Sequence, residues 1–159
     1  MTPEQRADDL DGIAAALQRA FPDRTEELLA ETTLALWPFA FVCWVCSVGW
    51  IDRTVCGACR RLCRALVEQA RVGRTRPGAD MVISELGRAL ALADFPRADD
   101  VLAKVREGLA VVPEGALVPT CRFCETSPPH RQLDAIGGGR RICAACVVRI
   151  ATAGDSRVR

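Results

Sequence analysis

The sequence predicts a mainly α-helical fold carrying small zinc-stabilised, treble-clef-like modules, and three observations predict it. Eight of the nine cysteines fall into four CxxC pairs, at Cys43/Cys46, Cys56/Cys59, Cys121/Cys124 and Cys143/Cys146. Outside those pairs, apolar residues recur at helical spacing. Two helices followed by a cysteine module are written twice, which reads as a tandem helix–helix–finger duplication with units over residues 1–76 and 77–159.

Taken in order, Thr2-Pro3-Glu4-Gln5 opens the first helix with Thr as N-cap, Pro at the first helical position and Gln closing a capping box. Leu10, Ile13 and Leu17 then share one face. Asp23 and Glu26 start a second helix carrying Leu28, Leu29 and Leu36, which Pro38 should stop. The first cysteine module spans residues 43–63 and runs into a helix ending near Val72. Residues 73–78, GRTRPG, read as a linker. Asp80 caps a helix with Val82, Leu86 and Leu90 on one face. A further helix carries Val101, Leu102, Val105 and Leu109. The second module closes with a short helix that Gly154 should stop.

Half of the 159 residues are apolar, but only 5% are aromatic and tyrosine is absent. Each half alone is near the size at which a metal must supplement a thin core. The net charge of +1 gives no global field for nucleic acid. Nine cysteines would suit a secreted disulfide scaffold, but pairing as CxxC fits metal-bound thiolates in a reducing compartment better. The opening Met1-Thr2-Pro3-Glu4 is polar and acidic, unlike a secretory leader, so the expectation is a cytoplasmic protein. Twenty arginines against one lysine, with many alanines, suggest a high-GC bacterial coding bias. The uncharged run at residues 32–51 approaches bilayer length. Pro38, Gly49 and the Cys43/Cys46 knuckle argue instead for a buried helix end leading into an apolar knuckle.

The cysteine spacing carries the chemistry. Each CxxC lets two thiolates from one turn face the same ion, and a second pair completes a tetrahedron. Cys121-Arg-Phe-Cys124, eighteen residues, then Cys143-Ala-Ala-Cys146 is the stronger pattern. Cys43-Trp-Val-Cys46, nine residues, then Cys56-Gly-Ala-Cys59 leaves room for a short hairpin, with the last pair opening a helix. The expected cofactor is zinc, two ions per chain. An iron–sulfur centre is the minority reading, since thiolates bind it as well. Four thiolates around zinc leave about −2 of charge, which Arg60, Arg61 and Arg64 in the first module and Arg140 and Arg141 in the second are placed to offset or to turn toward a partner. Cys63 follows Cys59 by four residues and reads as a small buried side chain, with a substitute ligand or a reactive thiol as alternatives. His130, the single histidine, reads as a loop residue.

Charge alternates along the chain. Residues 1–31 hold eight acids against three arginines, and residues 52–76 hold two acids against seven. Residues 77–120 hold seven acids against four bases, and residues 121–159 three against seven.

Cys121-Arg-Phe-Cys124, the loop with Arg131, Leu133 and Gly137, and Ile142-Cys-Ala-Ala-Cys146-Val together resemble the zinc-binding domain of the ClpX unfoldase, over about residues 119–153. Val55-Cys56-Gly-Ala-Cys59-Arg-Arg-Leu-Cys63 is a fainter echo of the same family, with too short a loop. The resemblance implies a treble clef that dimerises and docks adaptors and substrates for an attached ATPase. That ATPase needs a Gly-x4-Gly-Lys-Ser/Thr loop, and Lys104 is followed by Val105. The expectation is therefore a non-catalytic protein-interaction module linked to Clp-type proteolysis. Its partner would be a client, an adaptor or a Clp-type machine, and self-association is allowed. The alternative is a nucleic-acid-binding regulator using the arginines of residues 60–76. With one histidine and no open metal position, an enzyme is not expected.

Overall fold

The computed structural model describes residues 3–36, 55–110, 121, 123–124, 133–136 and 140–152, and these are mainly helical. Helix α1 (Pro3–Ala20) turns Ile13 and Leu17 fully inward, as its periodicity predicts. Thr2 and its capping box lie outside the described residues. A 3-10 turn (Pro22–Arg24) leads into α2 (Thr25–Leu36), where the Thr25 hydroxyl donates to the Phe21 carbonyl at 3.0 Å and ties turn to helix.

Helix α2 is buried on every side from Glu27 to Leu36, because α1, α3, α4 and α5 all pack on it. Its polar residues are tolerated there because each has a partner. The Thr32 and Thr33 hydroxyls donate to the Leu28 and Leu29 carbonyls at 2.7 and 2.6 Å. Glu27 accepts from Arg24 at 2.5 Å and from Gln69 at 2.8 Å, and Glu31 is held bidentately by Arg76.

Helix α3 (Gly57–Val72) ends where predicted. Gly73 takes φ +74°, and its N–H reaches the Ala70 carbonyl while that of Arg74 reaches Gln69 at 2.9 Å. A left-handed residue closes the helix here, which glycine allows without a Cβ penalty. The predicted linker follows, and α4 (Ala79–Leu92) begins with Gly78 as N-cap. Asp80, expected as the cap, sits in the first turn instead, where its carboxylate complements the helix dipole. Val82, Leu86 and Leu90 are all fully buried. Helix α5 (Ala98–Leu109) is entered through Arg97 at φ +61°, whose guanidinium pairs with the buried Asp9 at 2.5 Å. Strands β1 (Leu133–Ile136) and β2 (Arg140–Cys143) form an antiparallel hairpin with Leu133 opposite Cys143, and α6 (Ala144–Thr152) follows directly.

Helices of equal rank pack on each other: α1 on α4, α2 on α5 and α3 on α6. At the α2–α5 crossing the backbones approach so closely that a Cβ on Gly108 would lie 2.2 Å from the Ala35 carbonyl oxygen. Two hydrophobic clusters result among the described residues. One is aliphatic and lies among α1, α2, α4 and α5, with Ile13, Leu17, Leu28, Leu86 and Leu90 at its centre. The other joins α3, α6, the knuckle and β2, and includes Leu62, Phe123, Ile142, Val147 and Ile150. Both draw residues from each side of the 76/77 boundary. Among the described residues no helix is long and apolar enough to cross a membrane. Thr32 to Leu36, the start of the uncharged run, are the buried end of α2, and the rest of that run lies outside the described residues.

Candidate metal centre

Cys121, Cys124, Cys143 and Cys146 come together, their four sulfur atoms lying within 4.8 Å of one another. Local structure explains the convergence. Cys121 and Cys124 flank a tight turn whose Cys124 N–H points at the Cys121 sulfur, at 3.5 Å. Cys143 ends β2, and Cys146 sits in the first turn of α6. A parallel bridge between Cys121 and Arg141 docks the turn onto the hairpin.

The geometry suits a tetrahedral cation of zinc size. A Zn–S bond of about 2.3 Å puts the edges of the tetrahedron at about 3.8 Å, and Cys124 and Cys143 lie 3.9 Å apart, sulfur to sulfur. Four thiols of the preferred donor type form a set that could hold a zinc ion. Such a set leaves no coordination position open. Cys121, Cys143 and Cys146 are buried and Cys124 is half-buried. Burial pushes the Cys143 thiol up from its ordinary value, and the neighbouring Cys121 adds to this. Burial raises Cys146 strongly, reinforced by its hydrogen bond with Cys143 and by the charge of Cys121. Crowded thiolates repel one another in a dry site, and a bound cation reverses the preference by making the ionised form the favoured one.

Around the centre, Phe123 is buried between the two knuckle ligands, and the Arg149 guanidinium lies over its ring at 5.6 Å. Sequence reasoning did not single out Arg149. The signal available was its position on α6, one turn beyond Cys146. Arg141 is half-buried on β2. The side chain of Arg140, and residues 125–132 (His130 among them) and 137–139, lie outside the described residues.

The first module is described in part. Cys56 is the N-cap of α3, and Cys59 and Cys63 lie on that helix, all three buried. They suggest a second site only weakly, and Cys43 and Cys46 lie outside the described residues. None of the seven described cysteines is in a disulfide.

The arginines expected to offset the thiolates or to face a partner divide. Arg60 is buried, with Nη2 at 3.4 Å from the Val55 carbonyl oxygen. Arg61 donates to the Thr33 hydroxyl at 2.9 Å, and Arg64 is exposed. Farther along, Arg71 pairs with Glu68 at 2.6 Å, Arg74 faces Glu27 at 3.8 Å and the Asp23 carbonyl at 3.2 Å, and Arg76 holds Glu31.

Compared with known proteins, the chain matches no family model, no curated protein and no solved structure.

Proposed function

We propose that this chain is a non-catalytic, zinc-stabilised protein-interaction module. The observation that carries the reading is the closed set of four cysteines at Cys121, Cys124, Cys143 and Cys146, which builds a platform and leaves no position for substrate. The order of knuckle, hairpin and helix around it supports a treble clef of the type found in ClpX. On that resemblance the partner is a client, an adaptor or a Clp-type machine in a bacterial cytoplasm. A second zinc ion is assigned to Cys43, Cys46, Cys56 and Cys59, supported by the burial of Cys56 and Cys59 at the start of α3. The packing of α1 on α4, α2 on α5 and α3 on α6 supports an internal duplication, in which the halves meet as two subunits would.

The nucleic-acid alternative relies on the arginines of residues 60–76. Arg61, Arg71, Arg74 and Arg76 already have partners within the chain, and Arg60 is buried. Arginines held by carboxylates and buried groups have less to offer phosphates, which favours the protein-interaction reading.

The test is capture of partners by zinc-loaded chain after nuclease treatment, beside a Cys121→Ser variant. Capture of a Clp-type ATPase or its adaptor that survives nuclease and is lost in the variant is the expected result. Binding to duplex DNA or RNA that falls steeply with salt, without a protein partner, would overturn it in favour of the alternative.

A further inference from the structure

The halves joined at residues 73–78 touch each other reciprocally. The corner after α1 reaches across to α4, where Arg24 pairs with Glu85 at 2.5 Å and the Arg88 guanidinium lies 5.8 Å from the centre of the Phe21 ring. The corner after α4 reaches back to α1. Arg97 pairs there with Asp9 at 2.5 Å, and a Cβ on Gly12 would come within 2.6 Å of the Phe95 ring. Each corner carries a Phe-Pro pair followed closely by that arginine. Along the seam, Ala16 and Ala20 from one half and Ala89 and Ala93 from the other line a single notch. Where α2 crosses α5, Ala35 meets Gly108. Matched surfaces that exchange equivalent contacts are the mark of a two-fold interface.

Neither half closes this core by itself. The aliphatic cluster takes Ile13, Leu17 and Leu28 from the first half and Leu86, Leu90 and Val105 from the second, all fully buried. A half that parts from its neighbour exposes that face, and a second copy of the chain offers the same cover. The linker is what differs between the two arrangements. Gly73 turns the chain at φ +74°, and Arg74 and Arg76 tie the linker to Glu27 and Glu31 of α2. A short linker holds each half's own partner at an effective concentration of about millimolar.

We propose that the seam between the halves is also the self-association surface of this chain, and that its partner is a second copy taken up by exchange. Helices α1–α3 of each chain then pack on α4–α6 of the other, with residues 73–78 as the hinge. The exchange rests on the internal duplication proposed above and deepens it by naming what the duplicated face binds. Closed chain and exchanged dimer share the same seam contacts, so concentration and the linker decide between them.

The test uses the Arg24–Glu85 pair, which is partly exposed on both sides. Arg24→Glu and Glu85→Arg each set like charges together, in the closed chain and in a dimer of identical chains alike. In a mixed exchanged dimer every seam is matched, one by the native pair and the other by the reversed pair. The two full-length variants are co-expressed with different mass tags, loaded with zinc and read by native mass spectrometry. The expected result is a mixed dimer in about tenfold excess over either like dimer, because opposed like charges disfavour the other pairings. Both changes in one chain restore the pair internally, so that double variant should be a monomer at the same concentration with most of the wild-type denaturant midpoint. A recovered double variant beside singles that stay apart would overturn the exchange and leave the internal pairing standing. A double variant no better than the singles would defeat the cross-half pairing and the exchange with it. Like and mixed dimers in statistical ratio would put association on another surface and overturn it too. Wild type supplies a measurement without substitutions. Heavy and light isotopic chains, unfolded and refolded together with zinc, should form heavy–light dimers toward about millimolar concentration and monomers when dilute. Monomers at both concentrations would overturn the exchange.

Discussion

The two hydrophobic clusters among the described residues are built from different materials. The four-helix core of α1, α2, α4 and α5 is made of large aliphatic side chains, among them Ile13, Leu17, Leu28, Leu86 and Leu90, all fully buried. The cysteine core of α3, α6, the knuckle and β2 adds the thiols of Cys56, Cys59, Cys63, Cys121, Cys143 and Cys146 to its aliphatic residues. A thiol is a small apolar group until a metal makes it a ligand. The first core buries aliphatic side chains, whereas the second surrounds four thiols that could hold a zinc ion. Helix α2 serves both, giving Leu28, Leu29, Ala35 and Leu36 to one and Ala30 and Leu34 to the other.

The contrast can be broken from either side, and the largest expected effect is on the cysteine side. Structural zinc contributes on the order of 10 kcal/mol in small domains, so Cys146→Ser is expected to unfold the hairpin and α6. Amide exchange there should rise to unprotected rates while α1 and α4 keep their protection. Uniform loss of protection would show that the two cores are not separable.

Next comes Gly108→Ala, aimed at the aliphatic side. Its Cβ would meet backbone, the Ala35 carbonyl oxygen at 2.2 Å, so the helices must part. A loss of about 3 kcal/mol is expected in denaturant unfolding, at the upper end for overpacking, with zinc content unchanged. A neutral result would mean that α2 and α5 do not cross at this point.

Arg76→Ala should cost less, about 2 kcal/mol. It leaves Glu31 buried without its bidentate partner, although Arg76 itself is partly exposed. Glu31→Gln introduced beside it should recover part of the loss in the double variant. Independent, additive effects would show that the pair is not coupled.

Proton linkage sharpens the metal side. Cys143 and Cys146 are raised above the ordinary thiol value, so in the metal-free chain they remain protonated at neutral pH. Loading must expel those protons. Zinc affinity therefore rises with pH and falls on acidification, and a pH-stat titration near neutrality should record release approaching one proton per ligand thiol. Release near zero would mean that the thiols are not the ligands. The smallest effect expected is for Arg149→Ala, which removes the cation over Phe123 and should speed chelator-driven zinc loss about threefold. Lysine at the same position should restore part of the protection.

What was legible in the sequence was local. The Cys121–Cys146 spacing is a short-range constraint that two tight turns can satisfy, and the structure brings those four sulfurs together. The α4 stripe of Val82, Leu86 and Leu90 was readable because one face of that helix is buried and the other is not. Helix α2 could not be read this way, since burial on all sides erases periodicity and includes Glu27, Glu31, Thr32 and Thr33. The distant partners of Glu27 and Glu31, namely Gln69, Arg74 and Arg76, come from the far end of α3 and the loop beyond it, more than 40 residues along the chain. The alternating charge did carry that information. The acids of residues 1–31 and the arginines of residues 52–76 meet in part as Glu27 with Arg74 and Glu31 with Arg76. Arg60 is of a type that favours solvent, whereas its place on α3 turns it inward, which the local sequence does not signal.

The most direct test of the account is metal identity and stoichiometry by native mass spectrometry on anaerobically purified wild-type and Cys143→Ser protein, side by side. The account predicts zinc in the wild type, two ions if both modules are loaded, and one zinc fewer in the variant. Equal metal content in the two proteins, or iron with inorganic sulfide in the wild type, would contradict it.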